Sequence, residues 1–487
     1  MGCFVKSNKP FLFVVLTCAL SLCSCYHEFP NGGGGGGGGN GGGGNNGNTF
    51  LNITVTSTPS TTFSFPALNW QIGSLALINS AGTSINIVGG PGQPFLQFAN
   101  LQTDSTYLGH VTIAATSYTK LQVQLSAPLF SFFYNSTNAT VLGCASGAVC
   151  SIPTTVPGFG ASTVTVPISF TATANTNAGI RINFDLSKAV TNASGMTFDF
   201  TQPGAITLST LPPQSSQSSG IDTVDNFTGE VTAKTSTSVT VGSFVNAQRT
   251  FTMAATVEFD DPFNVCGGQA SFACLAVNQN VSLDAVLNSD GTMTAYEVEF
   301  LDPAPLASEL EGVIITPIVN NQFKMVLTNG MGPQTIIVGS TVTVNLNNAS
   351  TYFVDPKDLG VSTTPLGFQS STDLVLGQTV MLQGGTVNDA NTTLSNYTRT
   401  LLRYSSIGGT VQTAGNPIFT LSGISPFLTN LVNNTAQVAT FSPGTVYDNI
   451  TGPGSIAGGL NLSVRGLYLN PNSGATQPIL AAKVRSH

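Results

Sequence analysis

Chemistry in this 487-residue chain would have to come from three histidines, eight cysteines and an uneven set of carboxylates. A Ser-His-Asp nucleophile needs a histidine beside a serine. His27 lies next to a glycine tract and His487 is the final residue, so only His110 falls inside a strand-like run. Its position after Gly109 fits a sheet edge or a turn. No GxSxG elbow surrounds any serine. Of the 22 acidic residues, 13 fall between Asp222 and Glu311, including Glu258-Phe259-Asp260-Asp261 and Asn288-Ser289-Asp290-Gly291. Calcium needs about six oxygen ligands on a spaced loop, and that spacing is missing. Asp290-Gly291 reads instead as a hairpin turn, and Glu297 and Glu299 as the solvent face of a strand. Glycosidase chemistry would draw on the same carboxylates within a cleft rich in aromatics. The single Trp70 alternates with Leu68 and Ile72, which places it in a core. The sequence holds 30 Phe against 10 Tyr, and Phe is mostly a packing residue. No catalytic residue, metal or cofactor is assigned.

The cysteines are more informative. Lys6 and Lys9 precede an apolar run from Phe11 to Leu22, which is too short to span a bilayer as a helix. Leu22-Cys23-Ser24-Cys25 fits a lipoprotein cleavage site, so residues 1–24 are expected to be removed and Cys25 to carry the lipid. Cys23 is the weaker candidate, because bulky Leu22 precedes it directly. Cys144 with Cys150 and Cys266 with Cys274 then form two local pairs in an oxidising compartment, where disulfides are expected. Zinc would need four ligands, and neither loop holds a histidine or a CxxC pair. Residues 25–48, with Gly32 to Gly39 and Gly41 to Gly44, form a tether, since side-chain-free backbone gains nothing by burial.

Composition excludes other classes. Charged residues make up only 7% of the chain, and loss of the signal takes two of the 14 cations, leaving 12 against 22 acids. Phosphate-neutralising charge is absent, so nucleic acid is not a partner. Ser, Thr, Asn and Gln supply the polar surface.

These residues must be positioned by strands. From Phe50 onward apolar residues alternate with hydroxyl and amide residues, as in Leu51-Asn52-Ile53-Thr54-Val55, and the reading is all-β. Residues 49–210 are expected to form a β-sandwich, and 211–225 a linker, because that stretch is Ser-, Gln- and Pro-rich. Beyond it, three units of similar design predict three small OB-like barrels over 226–303, 308–405 and 406–487. Each opens on an apolar residue two before a glycine: Phe227 before Gly229, Leu310 before Gly312, Ile407 before Gly409. A mid-unit threonine with an aromatic follows (Thr256 to Phe259, Thr351 to Phe353, Thr445 to Tyr447). Next comes a strand at Gln279, at Gln378 and, in the third unit, with Leu462 in the Gln position. The glycine is expected at a bend or a close backbone approach.

The first domain, with Leu101-Gln102-Thr103-Asp104, Val111 to Val123 and Ile180-Arg181-Ile182-Asn183-Phe184, resembles the bacterial family known as domain of unknown function 4382. The C-terminal units resemble domain of unknown function 5666. Both resemblances imply lipid-anchored exported bacterial proteins and bring no catalytic residues. The expectation is a non-enzymatic envelope lipoprotein, held to the membrane by its N-terminal lipid, with a structural or adhesive role towards polysaccharide or envelope protein. The alternative is a carbohydrate- or small-ligand-binding lipoprotein. Tyr26 provides no acidic retention signal, so outer-membrane or surface residence is expected.

Overall fold

Alternation of β-branched and hydroxyl residues favours pleated strands over helices, and the computed structural model is all-β. It describes residues 47–487 except 90–94, 127–130, 193–194, 213–219, 243–247, 262–263, 302–308, 332–338, 355–358, 360–366, 389–391, 429–430, 443 and 474–477. The signal, Cys25 and most of the tether lie outside the described residues.

The N-terminal sandwich contains β1 (Asn48–Thr58), β2 (Asn69–Asn79), β3 (Ser84–Gly89), β4 (Thr106–Ala114), β5 (Ser117–Leu125), β6 (Ser162–Thr171), β7 (Thr176–Asp185) and β8 (Ile206–Leu211). One sheet runs β8-β7-β1-β4 and the other contains β6-β5-β2-β3. Trp70 is fully buried between them. Phe98, Phe159, Phe198 and Phe200 meet it edge-on, with centroids 5.9, 5.1, 5.3 and 5.4 Å away. His110 stands on the edge strand β4, as its position after Gly109 suggests.

The first barrel is closed by β9 (Gly220–Lys234), β10 (Ser238–Gly242), β11 (Arg249–Asp260), β12 (Asn280–Asn288) and β13 (Met293–Phe300) in the order β9-β10-β11-β13-β12. β11 and β13 are the parallel pair. The second unit has β14 (Glu309–Ile314), β15 (Gln322–Met331), β16 (Thr341–Asn345), β17 (Thr351–Val354), β18 (Thr379–Gln383) and β19 (Arg399–Thr413). There β17 pairs parallel with β19. The third unit adds β20 (Ile418–Ser422), β21 (Ala436–Ala439), β22 (Val446–Asp448), β23 (Asn461–Tyr468) and β24 (Ile479–Ser486). Its ring runs β19-β20-β21-β24-β23 and back to β19, with β21 and β22 both parallel to β24. The first and third rings therefore share one order and one parallel pair.

The repeated glycine is explained by backbone approach. A Cβ on Gly229 would lie 2.3 Å from the Gly242 carbonyl oxygen, on Gly312 2.4 Å from that of Val326, and on Gly409 2.9 Å from that of Ser422. In each unit the first two strands slip register within a few residues of the glycine, so the first strand bends around the barrel corner there. The fourth strand is entered through a shared turn. Gln279, Gln378 and Leu460 each donate their backbone N–H to the residue three before, at 3.3 Å, and the residue just before each has positive φ: Asn278, Gly377 and Gly459. That is a turn whose third position favours Asn or Gly. Gln279 and Gln378 also accept, on their side-chain oxygens, the backbone N–H of Ala276 and of Val375, at 2.6 and 2.7 Å. The equivalent residue in the third unit is therefore Leu460 and not Leu462, whose register partner is Gly409.

Two expected boundaries change. Residues 220–225 belong to β9, not to a linker, and Ile221, Asp222 and Val224 are buried. Their polar members are strand residues because they pair with another domain, described below. Residues 213–219 lie outside the described set. The division at 405/406 falls inside β19, whose first half closes the second unit and whose second half opens the third. Both cysteine pairs are bonded, with Cα atoms 5.9 Å apart for Cys144–Cys150 and 5.8 Å for Cys266–Cys274.

Candidate functional site

The charged residues converge where the sandwich meets the barrels. On β7, Ile180, Ile182 and Phe184 point into the sandwich core, so Arg181 and Asn183 take the other face. That face is not solvated. Asn52, Thr54 and Thr56 of β1 are buried on it, because the barrels cover it. Arg181 reaches Asp222 of β9 at 2.7 Å and Asp448 of β22 at 3.2 Å. Thr54 donates to the other Asp222 oxygen at 2.8 Å, and Asn52 donates to the Ser289 carbonyl at 2.7 Å.

The C-terminal barrel supplies more cations. Arg485 of β24 pairs with Asp448 at 2.7 Å and donates to the carbonyls of Leu101 and Asp104, at 3.0 and 3.1 Å, and to the Ser105 hydroxyl at 3.1 Å. Lys483 pairs with Asp225 and donates to Thr223 at 3.2 Å. Arg465 of β23 lies 3.5 Å from Asp284, donates to Asn226 and packs over the Tyr404 ring at 4.7 Å. On the side of the second unit, Arg403 of β19 donates to both oxygens of Glu299, at 2.6 and 2.8 Å, and lies 3.7 Å from Glu311.

Burial alone would push the Asp448 carboxyl up, but the guanidiniums of Arg485 and Arg181 outweigh it and hold the group well below the usual carboxylate range. Asp225 is likewise buried and is held low by Lys483 and Arg465. Glu311 goes the other way: burial raises it more than Arg403 lowers it.

The acidic stretch singled out in the sequence is thus divided. Asp222, Asp225, Asp284, Glu299 and Glu311 face cations of other elements. Asp290 stays in the hairpin turn, accepting from Thr292. Glu299 is 9% exposed and Glu297 half-buried, so neither lies on a solvent face as expected; the neighbouring barrels cover that strand. Asn226, Ser282, Asp284, Glu297 and Arg403 border a cavity of about 20 Å³. One water needs about 10–15 Å³, so this is room for about one water. Among the described residues no cluster of three or more His, Cys, Asp or Glu is placed to hold a metal ion.

Neither described histidine hydrogen-bonds a carboxylate. His110 Nδ1 lies 3.0 Å from the Tyr107 hydroxyl and its ring 4.6 Å from that of Phe50. His487 Nε2 does meet Ser463 Oγ, at 2.7 Å, a pair that no motif in the sequence announces. Ser463 is fully buried, and the other ring nitrogen faces Thr58 at 3.3 Å, not a carboxylate.

The outer surface is correspondingly bland. Of the 28 charged side chains among the described residues, six are exposed: Lys120, Lys188 and Lys324 against Glu230, Glu258 and Asp290. Among these six the positive and negative charges cancel. Every described Phe, Tyr and Trp side chain is buried or half-buried, which leaves no exposed aromatic for a sugar to stack on.

No protein-family model matches the chain, and no curated protein matches it. Among solved structures, MbnP from Methylosinus trichosporium aligns with 29% of this chain and 76% of its own at 12% identity, with a TM-score of 0.17. That likeness is too slight to carry an argument.

Proposed function

We propose that this chain is a non-enzymatic lipoprotein of the bacterial cell envelope, anchored through Cys25, with a structural or interaction role at the outer membrane or cell surface. The observation that carries the reading is the destination of the charged side chains. They join the sandwich to the barrels, and the cavity they border has room for about one water. A β-body of joined domains with a nearly uncharged hydroxyl and amide coat suits a spacer behind a glycine tether. Two disulfides fit an exported protein. Metabolic palmitate labelling tests the anchor: label should enter the full chain and be lost in Cys25→Ala, which should appear in the soluble envelope fraction. Label retained in C25A would refute it. A glycan array with residues 49–487 tests the role. Saturable binding to one glycan class would replace the spacer reading with the ligand-binding one.

A further inference from the structure

The part of the junction built by Arg181, Arg465, Lys483 and Arg485 contains one carboxyl more than it has cations. Around the 100–105 segment of the sandwich stand Arg465 of β23 and Lys483 and Arg485 of β24, with Asp225 of β9. Each cation already has a carboxylate: Arg465 has Asp284, Lys483 has Asp225, Arg485 has Asp448. Arg181 adds Asp222 to the set and shares Asp448. The four cations therefore face five carboxyls, and the fifth is Asp104. Its residue is 9% exposed, and its side chain accepts from the Thr103 hydroxyl at 3.1 Å with no ion pair among the described residues.

Asp104 also sits where a change of charge would be felt. The backbone around it is held by the third barrel: Arg485 takes the carbonyls of Leu101 and Asp104 and the Ser105 hydroxyl, and Thr103 Oγ1 meets Ser406 Oγ of β19 at 2.9 Å. An unpaired ionised carboxylate buried here would be costly, whereas its neutral acid form would not.

We propose that Asp104 carries the proton that lets the 100–105 segment seat in the junction, so that docking of the sandwich on the third barrel is operated by protonation. The proton is taken from solvent when the segment seats and returned when it leaves. Burial raises the Asp104 carboxyl above its ordinary range against the pull of Arg465. A group raised on folding gives stability that is complete below its unfolded value and is lost as pH rises towards its folded value.

The test compares the full chain with Asp104→Asn and Asp104→Ser, two neutral replacements, by urea unfolding from pH 4 to 9. Between the ordinary carboxylate range and the raised one, the wild-type folded-to-unfolded ratio should fall relative to either variant by up to about tenfold per pH unit. At pH 8, D104N should be the more stable protein. Infrared difference spectra should show a protonated-carboxyl band in the wild type that D104N lacks and that fades over the same pH interval. Parallel pH profiles for wild type and both variants, or a carboxyl band unchanged by D104N, would overturn the proposal.

Discussion

Arg403 offers the sharpest test of the junction. It is 6% exposed and holds both oxygens of Glu299 while facing Glu311, so replacing it with Met keeps the stem but leaves two enclosed carboxylates without their cation. Breaking a buried pair from one side costs about 3–5 kcal/mol, because the charge left behind stays desolvated. Replacing both partners by apolar residues, as in R403M with Glu299→Leu, removes that penalty and should cost less than R403M alone. The coupling between the two sites then has the sign that marks a true pair, with a size of about 2 kcal/mol or more. Urea unfolding at pH 7 reads all four corners of the cycle. The same midpoints in low and high salt should differ little for wild type, since buried pairs are weakly screened. An R403M cost below about 1 kcal/mol, or a double variant whose cost is the sum of the singles, would show that the guanidinium does not hold the first barrel to the second.

Gly229→Ala and Gly312→Ala place a Cβ within 2.3 and 2.4 Å of a neighbouring carbonyl oxygen, so each should lose about 1–3 kcal/mol or fail to fold. Gly409→Ala, with 2.9 Å, should lose less, and equal losses measured by thermal unfolding would contradict the backbone-approach explanation. Asp448 is held low by two arginines, so its contribution is present above the ordinary carboxylate value and is lost only as pH falls through its depressed one. Asp448→Asn should cost about 3 kcal/mol at neutral pH and flatten the acid limb of a stability-versus-pH curve; an unchanged limb would remove Asp448 from the junction. The Cys266–Cys274 bond closes a short loop, so C266S/C274S should lower stability by less than about 3 kcal/mol, read by urea midpoint.

What the sequence made legible was whatever depends on period and on single special residues. Alternation located the strands, Trp70 between two aliphatic positions proved to be core, and the repeated glycine proved to be a backbone contact. What stayed hidden depends on which surface covers which. Asn52, Thr54 and Thr56 alternate with Leu51, Ile53 and Val55 as a solvent face would, yet all six are buried. A hydroxyl that bonds another domain and one that bonds water leave the same mark in a sequence. The same ambiguity made 220–225 look like a linker and Glu299 look solvated. One signal was available: 13 acids crowd between Asp222 and Glu311, while Arg465, Lys483 and Arg485 stand in a C-terminal unit poor in acid. Opposed charge in neighbouring units points to an interface before it points to a metal.

That opposition also bears on how a charge-poor chain selects one arrangement of four domains. Apolar faces attract without direction, so hydrophobic contact alone would tolerate several dockings. A junction in which Arg181, Arg403, Arg465, Lys483 and Arg485 each find a carboxylate penalises the others, because any slip leaves a desolvated charge unmatched. The three barrels are built to similar plans and could otherwise exchange places. Their charges are not similar: Asp222, Asp225, Asp284 and Glu299 lie on the first barrel, Arg465, Lys483 and Arg485 on the third, and Arg403 on the strand that the second and third share. Similar folds are thereby made distinguishable where they meet, and Asp104, which has no ion pair among the described residues, is where the proposed protonation would enter the match.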